Sequence, residues 1–320
     1  MTEGAKNTRN VKGETQMQDE LSGVLIVNKH AGVTSHDIVG KIRRLFGTRR
    51  VGHAGTLDPM ATGVLVVLIG RAAKAVEYLA SDSKRYRALL RLGLTTDTED
   101  TTGTVLTTSD AIPDFEALQG ILPSFCGKIQ QIPPMYSALK VGGKKLVDLA
   151  RQGQVVERKP REIEVFSLVA TPTESKTDYV LDVACSGGTY IRTLCADIGA
   201  SLGCGGAMAA LERREACGFS IEQAHSIAEL EEMTMEERAA LLCPVESVFA
   251  SLPAVTLPTF YERLCRSGCE IYQSKIKQAH PEGTRVRLCT ERGEFFALGE
   301  VFAYEKGLAF KAIKTFVLES

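Results

Sequence analysis

The chain contains no apolar run long enough to cross a membrane as a helix, which takes about 20 consecutive apolar residues. Its first 22 residues are polar and carry charges of both signs, without the apolar centre that a signal peptide or an N-terminal anchor requires. We therefore expect residues 1–22 to form a disordered tail. We also expect a cytoplasmic protein that makes no contact with a membrane.

The usual motifs for binding a metal or a nucleotide are missing as well. Cys265 and Cys269 are the closest pair among nine cysteines, but no second pair and no histidine stand at the spacing of a zinc site. Other cysteines, such as Cys185, Cys195 and Cys217, have apolar neighbours and are typical of reduced, buried thiols. No phosphate-binding loop of the form Gly-x-x-x-x-Gly-Lys is present. The sequence therefore indicates neither a metal nor a cofactor.

The most informative segment that is present runs from residue 52 to residue 70. A single carboxylate, Asp58, lies there among glycines and small residues, and Pro59 fixes the backbone directly after it. The apolar run 64–69 that follows predicts a buried strand. The pattern indicates one acid on a stiff loop at the edge of a sheet. From spacing alone, an aspartate that caps a turn before a strand is the commoner interpretation, so both readings stay open at this point.

This segment resembles the signature loop of the TruB family of tRNA pseudouridine synthases, Gly-His-x-Gly-x-Leu-Asp-Pro-x-Ala-x-Gly. Further segments are similar to other motifs of the family and follow in the family's order, at residues 27–35, 85–103, 131–140, 188–199 and 211–214. Two positions depart from the family pattern: His30 stands where proline is usual, and Val147 stands where an aromatic residue is usual. Neither departure touches the presumed chemistry, so we expect both to affect only packing and contacts with RNA.

The resemblance implies an isomerase that converts the uridine in the T loop of tRNA, position 55 in tRNA numbering, to pseudouridine. The bond from ribose C1′ to uracil N1 breaks, the base rotates, and C5 joins C1′. This reaction needs no metal, nucleotide or electron carrier, in agreement with the missing motifs. The family further implies that the T stem-loop of tRNA is the partner, that no guide RNA or protein partner is required, and that the protein is a monomer.

Site residues follow from the same resemblance, position by position. Asp58 matches the essential carboxylate, for which covalent attack and a glycal route both remain open. Arg192 matches the arginine that pairs with it. Burial favours the neutral form of a carboxylate, so a nearby cation has to offset that effect, and a bidentate guanidinium also orients the carboxylate. Without the motif around it, Arg192 would be read as an arginine on a helix surface.

The remaining matches concern the target base, which has to leave the folded loop before it can react. The family roles are as follows: Tyr86 stacks on the base and assists proton transfer, Tyr190 and Leu211 line the uracil pocket, His53 fills the space that the base leaves, and Lys29 is structural or faces a phosphate. As isolated residues, the two tyrosines and the leucine would be assigned to the core, and the histidine to an ordinary loop.

Positive charge is not in excess, since the formal net charge is −1, whereas nucleic-acid-binding domains are often basic. The cations are nevertheless clustered beside three of the motifs, as Lys41, Arg43, Arg44, Arg49 and Arg50; as Lys84, Arg85, Arg87 and Arg91; and as Lys140, Lys144, Lys145 and Arg151. One such cluster is usually a solvated surface. Three of them beside family motifs favour a surface that binds phosphates.

We predict an α/β (α+β) fold with a central, curved, mainly antiparallel sheet flanked by helices, and a small C-terminal PUA-like β-barrel. The predicted units are the tail 1–22, a catalytic domain 23–250 and an RNA-binding domain 251–320. Thr34 or Ser35 should cap the first helix, and Thr189 should cap the helix that carries Arg192. Residues 227–242 should form one acidic amphipathic helix. The site should lie in a cleft between the sheet and the Asp58 loop.

Two alternative functions remain at this stage. Relatives in guide-RNA particles share the fold but depend on a guide and on partner proteins. Residues 103–139 look like part of an insertion that grips substrate, which favours a protein that acts alone. The second alternative is an RNA-folding chaperone that binds and releases tRNA without needing catalysis, and the sequence allows this as an added role.

Overall fold

A computed structural model describes residues 21–79 and 83–316. The predicted tail 1–22 lies almost entirely outside the described residues. The strands are β1 (Gly23–Lys29), β2 (Val51–Ala54), β3 (Thr62–Ile69), β4 (Lys84–Leu92), β5 (Leu94–Thr96), β6 (Val105–Thr108), β7 (Gly127–Gln131), β8 (Lys140–Val141), β9 (Lys144–Lys145), β10 (Arg161–Pro172), β11 (Asp178–Cys185), β12 (Gly206–Ala216), β13 (Phe219–Ser220), β14 (His225–Ser226), β15 (Ala254–Thr256), β16 (Ile271–Tyr272), β17 (Arg285–Cys289), β18 (Phe295–Tyr304) and β19 (Gly307–Thr315).

The helices pack on this strand framework. The α-helices are α1 (Ser35–Leu45), α2 (Phe115–Ile121), α3 (Leu146–Ala150), α4 (Ile191–Ser201), α5 (Ile227–Glu232), α6 (Met235–Ala240), α7 (Thr259–Arg266) and α8 (Gln273–Ile276). Short 3₁₀-helices cover Gly70–Tyr78, Leu122–Phe125, Ile221–Gln223 and Val245–Phe249. In the described part of the chain, no helix is long and apolar enough to cross a membrane.

A ten-stranded sheet forms the centre, with the order β14-β1-β3-β12-β4-β11-β10-β7 and with β2 and β13 paired to β3 and β12. Most neighbours are antiparallel, whereas the β1–β14 and β3–β12 pairs are parallel. Strand β3 is buried over nearly its whole length, as its continuous apolar run predicts. The predicted α/β fold with a mainly antiparallel central sheet is therefore confirmed.

Helix α1 packs its apolar residues on one face of this sheet and begins at a capping box. The Thr34 side chain accepts a hydrogen bond from the Asp37 amide, and the Asp37 carboxylate accepts one from the Thr34 amide. Of the two predicted caps, Thr34 is therefore the one used. Ile38 and Ile42 of this helix are fully buried in the main core. The helix thereby supports β1 and the loop that follows β2.

The C-terminal region forms a second sheet of five strands, in the order β15-β17-β18-β19-β16, which makes a half-barrel. It packs on the central sheet through an aromatic cluster, in which the rings of Phe249, Phe295 and Phe316 lie 5.7 to 6.0 Å apart. The predicted small β-unit is therefore present. Its boundary at residue 250 and its PUA-like character stay predictions.

Two local predictions were wrong. Residues 227–242 form the separate helices α5 and α6, because Thr234 and Glu237 make a capping box that starts a new helix after Met233. Thr189 does not cap α4, since its hydroxyl donates to the Ser186 carbonyl at 3.0 Å. The residue at the N-cap position is Tyr190, without a side-chain cap.

Candidate active site

A cavity of about 390 Å³ opens between the central sheet and the Asp58 loop, where the sequence predicted the site. Five of the predicted site residues line it: Asp58, Tyr86, Tyr190, Arg192 and Leu211. They come from the loop after β2, from β4, from the start of α4 and from β12. The fold thus brings together residues that lie up to 153 positions apart in the sequence.

The Asp58 loop is tied down by side chains that are buried beneath it. The Lys29 ammonium is fully buried and donates to the carbonyls of His30, Pro59 and Ala61 at 3.0, 3.2 and 2.6 Å. Burial lowers the pKa of Lys29 to about 8, against a smaller opposing effect of Asp58. Of the two predicted roles for Lys29, the structural one fits, because a buried ammonium bonded to three carbonyls does not face a phosphate.

Asp58 and Arg192 form a bidentate ion pair at this cavity. The distances are 2.8 Å from Nε to Oδ2 and 3.3 Å from Nη2 to Oδ1. The Arg192 side chain is 5% exposed, whereas the Asp58 side chain is 37% exposed. The arginine therefore holds the carboxylate from the protein side and leaves it open towards the cavity.

Arg192 is itself fixed by groups from two other loops. Its guanidinium donates to the carbonyls of Thr98 and Tyr136 at 3.0 and 2.7 Å, and Asp100 Oδ2 lies 3.9 Å from Nε. Asp100 is buried and accepts hydrogen bonds from the hydroxyls of Thr98 and Thr102. The guanidinium thus has one defined orientation before any ligand enters.

Tyr86 lies on the buried side of β4, and its basic neighbours point the other way. Burial alternates along this strand, so that Tyr86 is 8% exposed while Arg85 and Arg87 are exposed. These two arginines pair with Glu215 at 3.2 Å and Asp182 at 3.0 Å. They belong to the opposite face of the sheet, so their proximity in sequence says nothing about the role of Tyr86.

The same ion pairs change the interpretation of the basic clusters. Arg91, like Arg85 and Arg87, faces a carboxylate, Asp178, at 2.6 Å. Three of the four cations in the cluster around β4 therefore have an acidic partner on a neighbouring strand. The prediction of a phosphate-binding surface is weakened there, and it stays a prediction for the other two clusters.

Tyr190 is positioned through its backbone. Gln131 on β7 accepts from the Tyr190 amide at 2.8 Å and donates to the Tyr190 carbonyl at 3.0 Å, so both backbone groups are held. Burial raises the pKa of the Tyr190 hydroxyl, against a smaller effect of the nearby Ser137 hydroxyl. Tyr190 and Leu211 both contribute side chains to the cavity wall.

His53 does not line this cavity. It lies on β2 and its Nε2 is 3.2 Å from the Thr56 hydroxyl at the start of the loop. Burial is the main cause that lowers its pKa, with Arg213 and His36 as further causes, so the neutral imidazole is the dominant form near neutral pH. Its predicted role in filling the space of a displaced base stays a prediction.

Arg213 is a member of the site that the sequence analysis assigned no role. It is 1% exposed on β12 and lines the cavity, with Nε bonded to the Val64 carbonyl at 2.7 Å and Nη2 to the Gly55 carbonyl at 2.9 Å. Its strand position is opposite Tyr86. The sequence feature that could have identified Arg213 is its position two residues after Leu211, because residues two apart on a strand lie on the same face.

Comparison with known proteins identifies the family. The model of the TruB family pseudouridylate synthase N-terminal domain matches residues 43–191, and the model of the tRNA pseudouridylate synthase B C-terminal domain matches residues 192–250. The chain is 40% identical over 283 residues to tRNA pseudouridine synthase B of Clostridium perfringens strain 13, covering 88% of this chain and 95% of the relative. The chain belongs to the TruB family of pseudouridylate synthases.

Other relatives agree with this assignment. The protein of the same name from Syntrophotalea carbinolica is 46% identical over 238 residues, which cover 74% of this chain and 78% of that protein. Among solved structures, a Cbf5-Nop10-Gar1 complex superposes with a TM-score of 0.73 at 25% identity, over 94% of this chain and 87% of that chain. An H/ACA RNP bound to a substrate RNA containing 2′-deoxyuridine shares the fold, with a TM-score of 0.71 at 22% identity, over 95% of this chain and 87% of that chain. The prediction of a pseudouridine synthase, an isomerase, is thereby confirmed.

The two departures from the TruB pattern lie outside the cavity. His30 is exposed, with its Nδ1 2.9 Å from the Ala31 carbonyl. Val147 lines a neighbouring cavity of about 500 Å³, which shares Asp58 and Arg192 with the first.

Among residues 21–79 and 83–316, no group of three or more histidine, cysteine or acidic side chains is arranged to hold a metal ion.

Proposed function

We propose that this pseudouridine synthase isomerises the T-loop uridine of tRNA, position 55 in tRNA numbering, to pseudouridine. Support for tRNA as the substrate comes from the relatives, which carry the name tRNA pseudouridine synthase B at 40% and 46% identity. Support for the chemistry comes from the cavity, where a carboxylate stands between apolar and aromatic walls. The protein acts in the cytoplasm as a monomer, without a guide RNA or a protein partner, and the C-terminal half-barrel, residues 251–320, adds a PUA-like RNA-binding surface.

The target base enters the cavity only after it has left the stack of the T loop, because Asp58 lies on the cavity wall. Extrusion of a base costs a few kcal/mol, which contacts in the pocket have to offset. Tyr86 stacks on the extruded uracil, Tyr190 and Leu211 line the walls around it, and His53 beside the loop fills the space that the base leaves in the RNA.

Asp58 supplies the essential carboxylate. The C1′–N1 bond breaks and its electron pair leaves with the base. Either an oxygen of Asp58 bonds to C1′, or the carboxylate removes a proton from C2′ to give a glycal. The base then rotates and C1′ bonds to C5, while the Asp58–C1′ bond breaks in the first route or the proton returns to C2′ in the second. The proton on C5 is then lost and N1 gains one. Substrate and product therefore have the same composition, and no oxidant or co-substrate takes part.

Tyr86 acts in this scheme as a neutral phenol. Burial raises the pKa of its hydroxyl, against a smaller opposing effect of the Arg213 charge. A phenol whose pKa lies above the ordinary value is almost entirely protonated near neutral pH. It can therefore pass a proton through its hydroxyl, but it does not wait in the resting enzyme as a phenolate base.

The observation that carries the proposal is the bidentate Asp58–Arg192 pair, with the arginine buried and the carboxylate open to the cavity. The test is base-resolved mapping of pseudouridine in an unmodified tRNA transcript after incubation with purified protein. We expect pseudouridine only at the T-loop position with the wild type, and none with Asp58→Asn. Asp182→Asn is the matched control, because Asp182 is paired with an arginine on the opposite face of the sheet.

Three results would contradict the proposal. Modification at other positions, or equal activity of Asp58→Asn and the wild type, would refute the assigned substrate or the assigned carboxylate. Binding of tRNA without product would indicate a missing guide or partner, or a protein that serves mainly as a chaperone. Accelerated folding of tRNA by Asp58→Asn would show a chaperone role in addition to catalysis.

A further inference from the structure

Arg213 is a buried cation at the cavity, and no carboxylate of the described residues forms an ion pair with it. Two of its nitrogens donate to the carbonyls of Val64 and Gly55. Arg192, by contrast, faces the carboxylates of Asp58 and Asp100. Holding two backbone carbonyls would not require a full charge, and burying a charge without a counter-ion is costly. The charge itself therefore calls for an explanation.

The placement of the charges points to an anionic species. The charged residues that line the cavity are Asp58, Lys84, Arg192 and Arg213. Arg192 already faces the carboxylates of Asp58 and Asp100, so Arg213 is a buried guanidinium on the cavity wall that no carboxylate of the described residues holds. Burial is the main cause that raises the pKa of Tyr86 and lowers the pKa of His53 and of Lys29, and the charge of Arg213 contributes a smaller lowering to the pKa of each group.

The proposed reaction creates one such species inside the cavity. When the C1′–N1 bond breaks, the electron pair stays on N1, and uracil carries one negative charge until C5 bonds to C1′. This holds whether Asp58 attacks C1′ or removes the proton from C2′. Apolar walls such as Leu57 and Leu211 disfavour an anion, and a fixed cation that meets charge as it develops lowers the barrier.

We propose that Arg213 stabilises the uracil anion that forms when the glycosidic bond of the target uridine breaks. This inference rests on the proposed function. It assigns Arg213 a part in the chemical step in addition to the two backbone contacts that hold β3 and the Asp58 loop.

The experiment compares Arg213→Met and Arg213→Lys with Arg214→Met. Arg214 is a matched control because it is the next residue on β12 and is paired with Glu212 and Glu222 at 3.1 and 3.3 Å. For each protein, the single-turnover rate of pseudouridine formation in a tRNA transcript, the Kd for that transcript and the Tm are measured.

We expect Arg213→Met to slow the single-turnover rate by about 100-fold, as the loss of a group that stabilises developing charge does. Its Kd should change by less than about threefold, because the interaction is absent in the ground state. Arg213→Lys keeps the charge and should lose less, and Arg214→Met should match the wild type. A loss in Arg213→Met that merely follows the fraction of folded protein or the Kd would overturn the proposal.

A second measurement separates charge stabilisation from a structural role, and it uses Arg213→Gln if Arg213→Met does not fold. A hairpin with 6-azauridine at the target position releases a more stable base anion than uridine does. The ratio of wild-type to variant cleavage rates, taken with the uncharged variant, should therefore be smaller for 6-azauridine, whereas equal ratios would refute the inference. If the wild type forms no pseudouridine at all, the proposed function itself fails. That result is distinct from the two outcomes that would refute the role of Arg213 alone.

Discussion

Four arginines at the central sheet fall into two groups, one on each of its faces. Arg85 and Arg87 are exposed, and each pairs with one carboxylate across the surface. Arg192 and Arg213 are buried on the cavity side and donate to backbone carbonyls that are distant in the sequence. The difference shows that local sequence density of basic residues is a poor guide to function here. The cations that we propose to be functional are the ones that the fold buries.

The energies of the two groups differ for a physical reason. The two charges of an exposed ion pair stay hydrated whether or not the pair forms, and salt screens their attraction. Such a pair therefore contributes little to stability. A buried guanidinium has lost its hydration and depends on every contact around it, so removing it leaves unsatisfied carbonyls and an uncompensated carboxylate. Variants of the buried cations should therefore have much larger effects than matched variants of the exposed ones.

The largest effect should follow from Arg192→Gln. The change leaves Asp58 without its bidentate partner and the buried Asp100 without the nearest cation. We expect the single-turnover rate to fall by about 1,000-fold, because the carboxylate loses both its orientation and its counter-charge. The free energy of unfolding should fall by about 3 kcal/mol, as for a broken buried pair. Single-turnover assays measure the rate, and urea unfolding measures the free energy of unfolding.

Arg87→Gln is the matched control for that change, since it removes one arginine from an exposed pair with Asp182. Its rate and its urea midpoint should equal those of the wild type within error. Similar losses in both variants would show that burial does not separate the two groups of arginines, and the comparison between the two faces would fail.

A second, smaller effect concerns the close approach of β3 and β12 on which Arg213 depends. Gly63 has a φ of +97°, and a Cβ placed on it would overlap the backbone of Arg213 at its carbonyl oxygen. Gly63→Ala should therefore cost about 3 kcal/mol of unfolding free energy through backbone strain and displacement of β12. Activity of the folded fraction should fall as well, because Arg213 and Leu211 move with that strand.

Gly218→Ala provides the comparison for Gly63→Ala. Its φ of +77° also lies in the left-handed region, but nothing would be within 4 Å of an added Cβ. The cost should then be limited to the conformation, about 1–2 kcal/mol. Equal losses in the two alanine variants would show that the contact with β12 adds nothing, and urea unfolding decides between these outcomes.

Much of the scaffold could be predicted from local sequence. The continuous apolar run of β3, the Thr34 cap of α1 and the loop that holds Asp58 are each encoded within a few neighbouring residues. The position of the cavity between the sheet and the Asp58 loop was also predicted. The family motifs supplied Arg192 and Tyr190, which no local rule would have selected.

What could not be predicted depends on contacts across the sheet. Arg213 stands in a quoted motif, but its burial follows from the pairing of β12 with both β3 and β4. Asp100 is one of several acids in a polar turn, and only the fold brings it beside Arg192. One missed feature, by contrast, was encoded locally. Thr234 and Glu237 have the spacing of a capping box, which starts a new helix at α6. The amphipathic pattern of residues 227–242 nevertheless favoured one continuous helix.

The smallest effect should come from Lys29, a buried cation that is bonded to carbonyls alone. Its pKa is about 8 in the folded protein and 10.5 as the ordinary value, so between these values only the unfolded chain keeps the proton. Raising the pH through this window therefore favours the folded state, by at most about 1.4 kcal/mol per pH unit.

The stability of the wild type relative to Lys29→Met should rise from pH 8 to pH 10 and stay constant below pH 7. Urea unfolding of both proteins across this range measures it, and a difference that is constant or falls above pH 8 would show that the charged form is retained at the buried site.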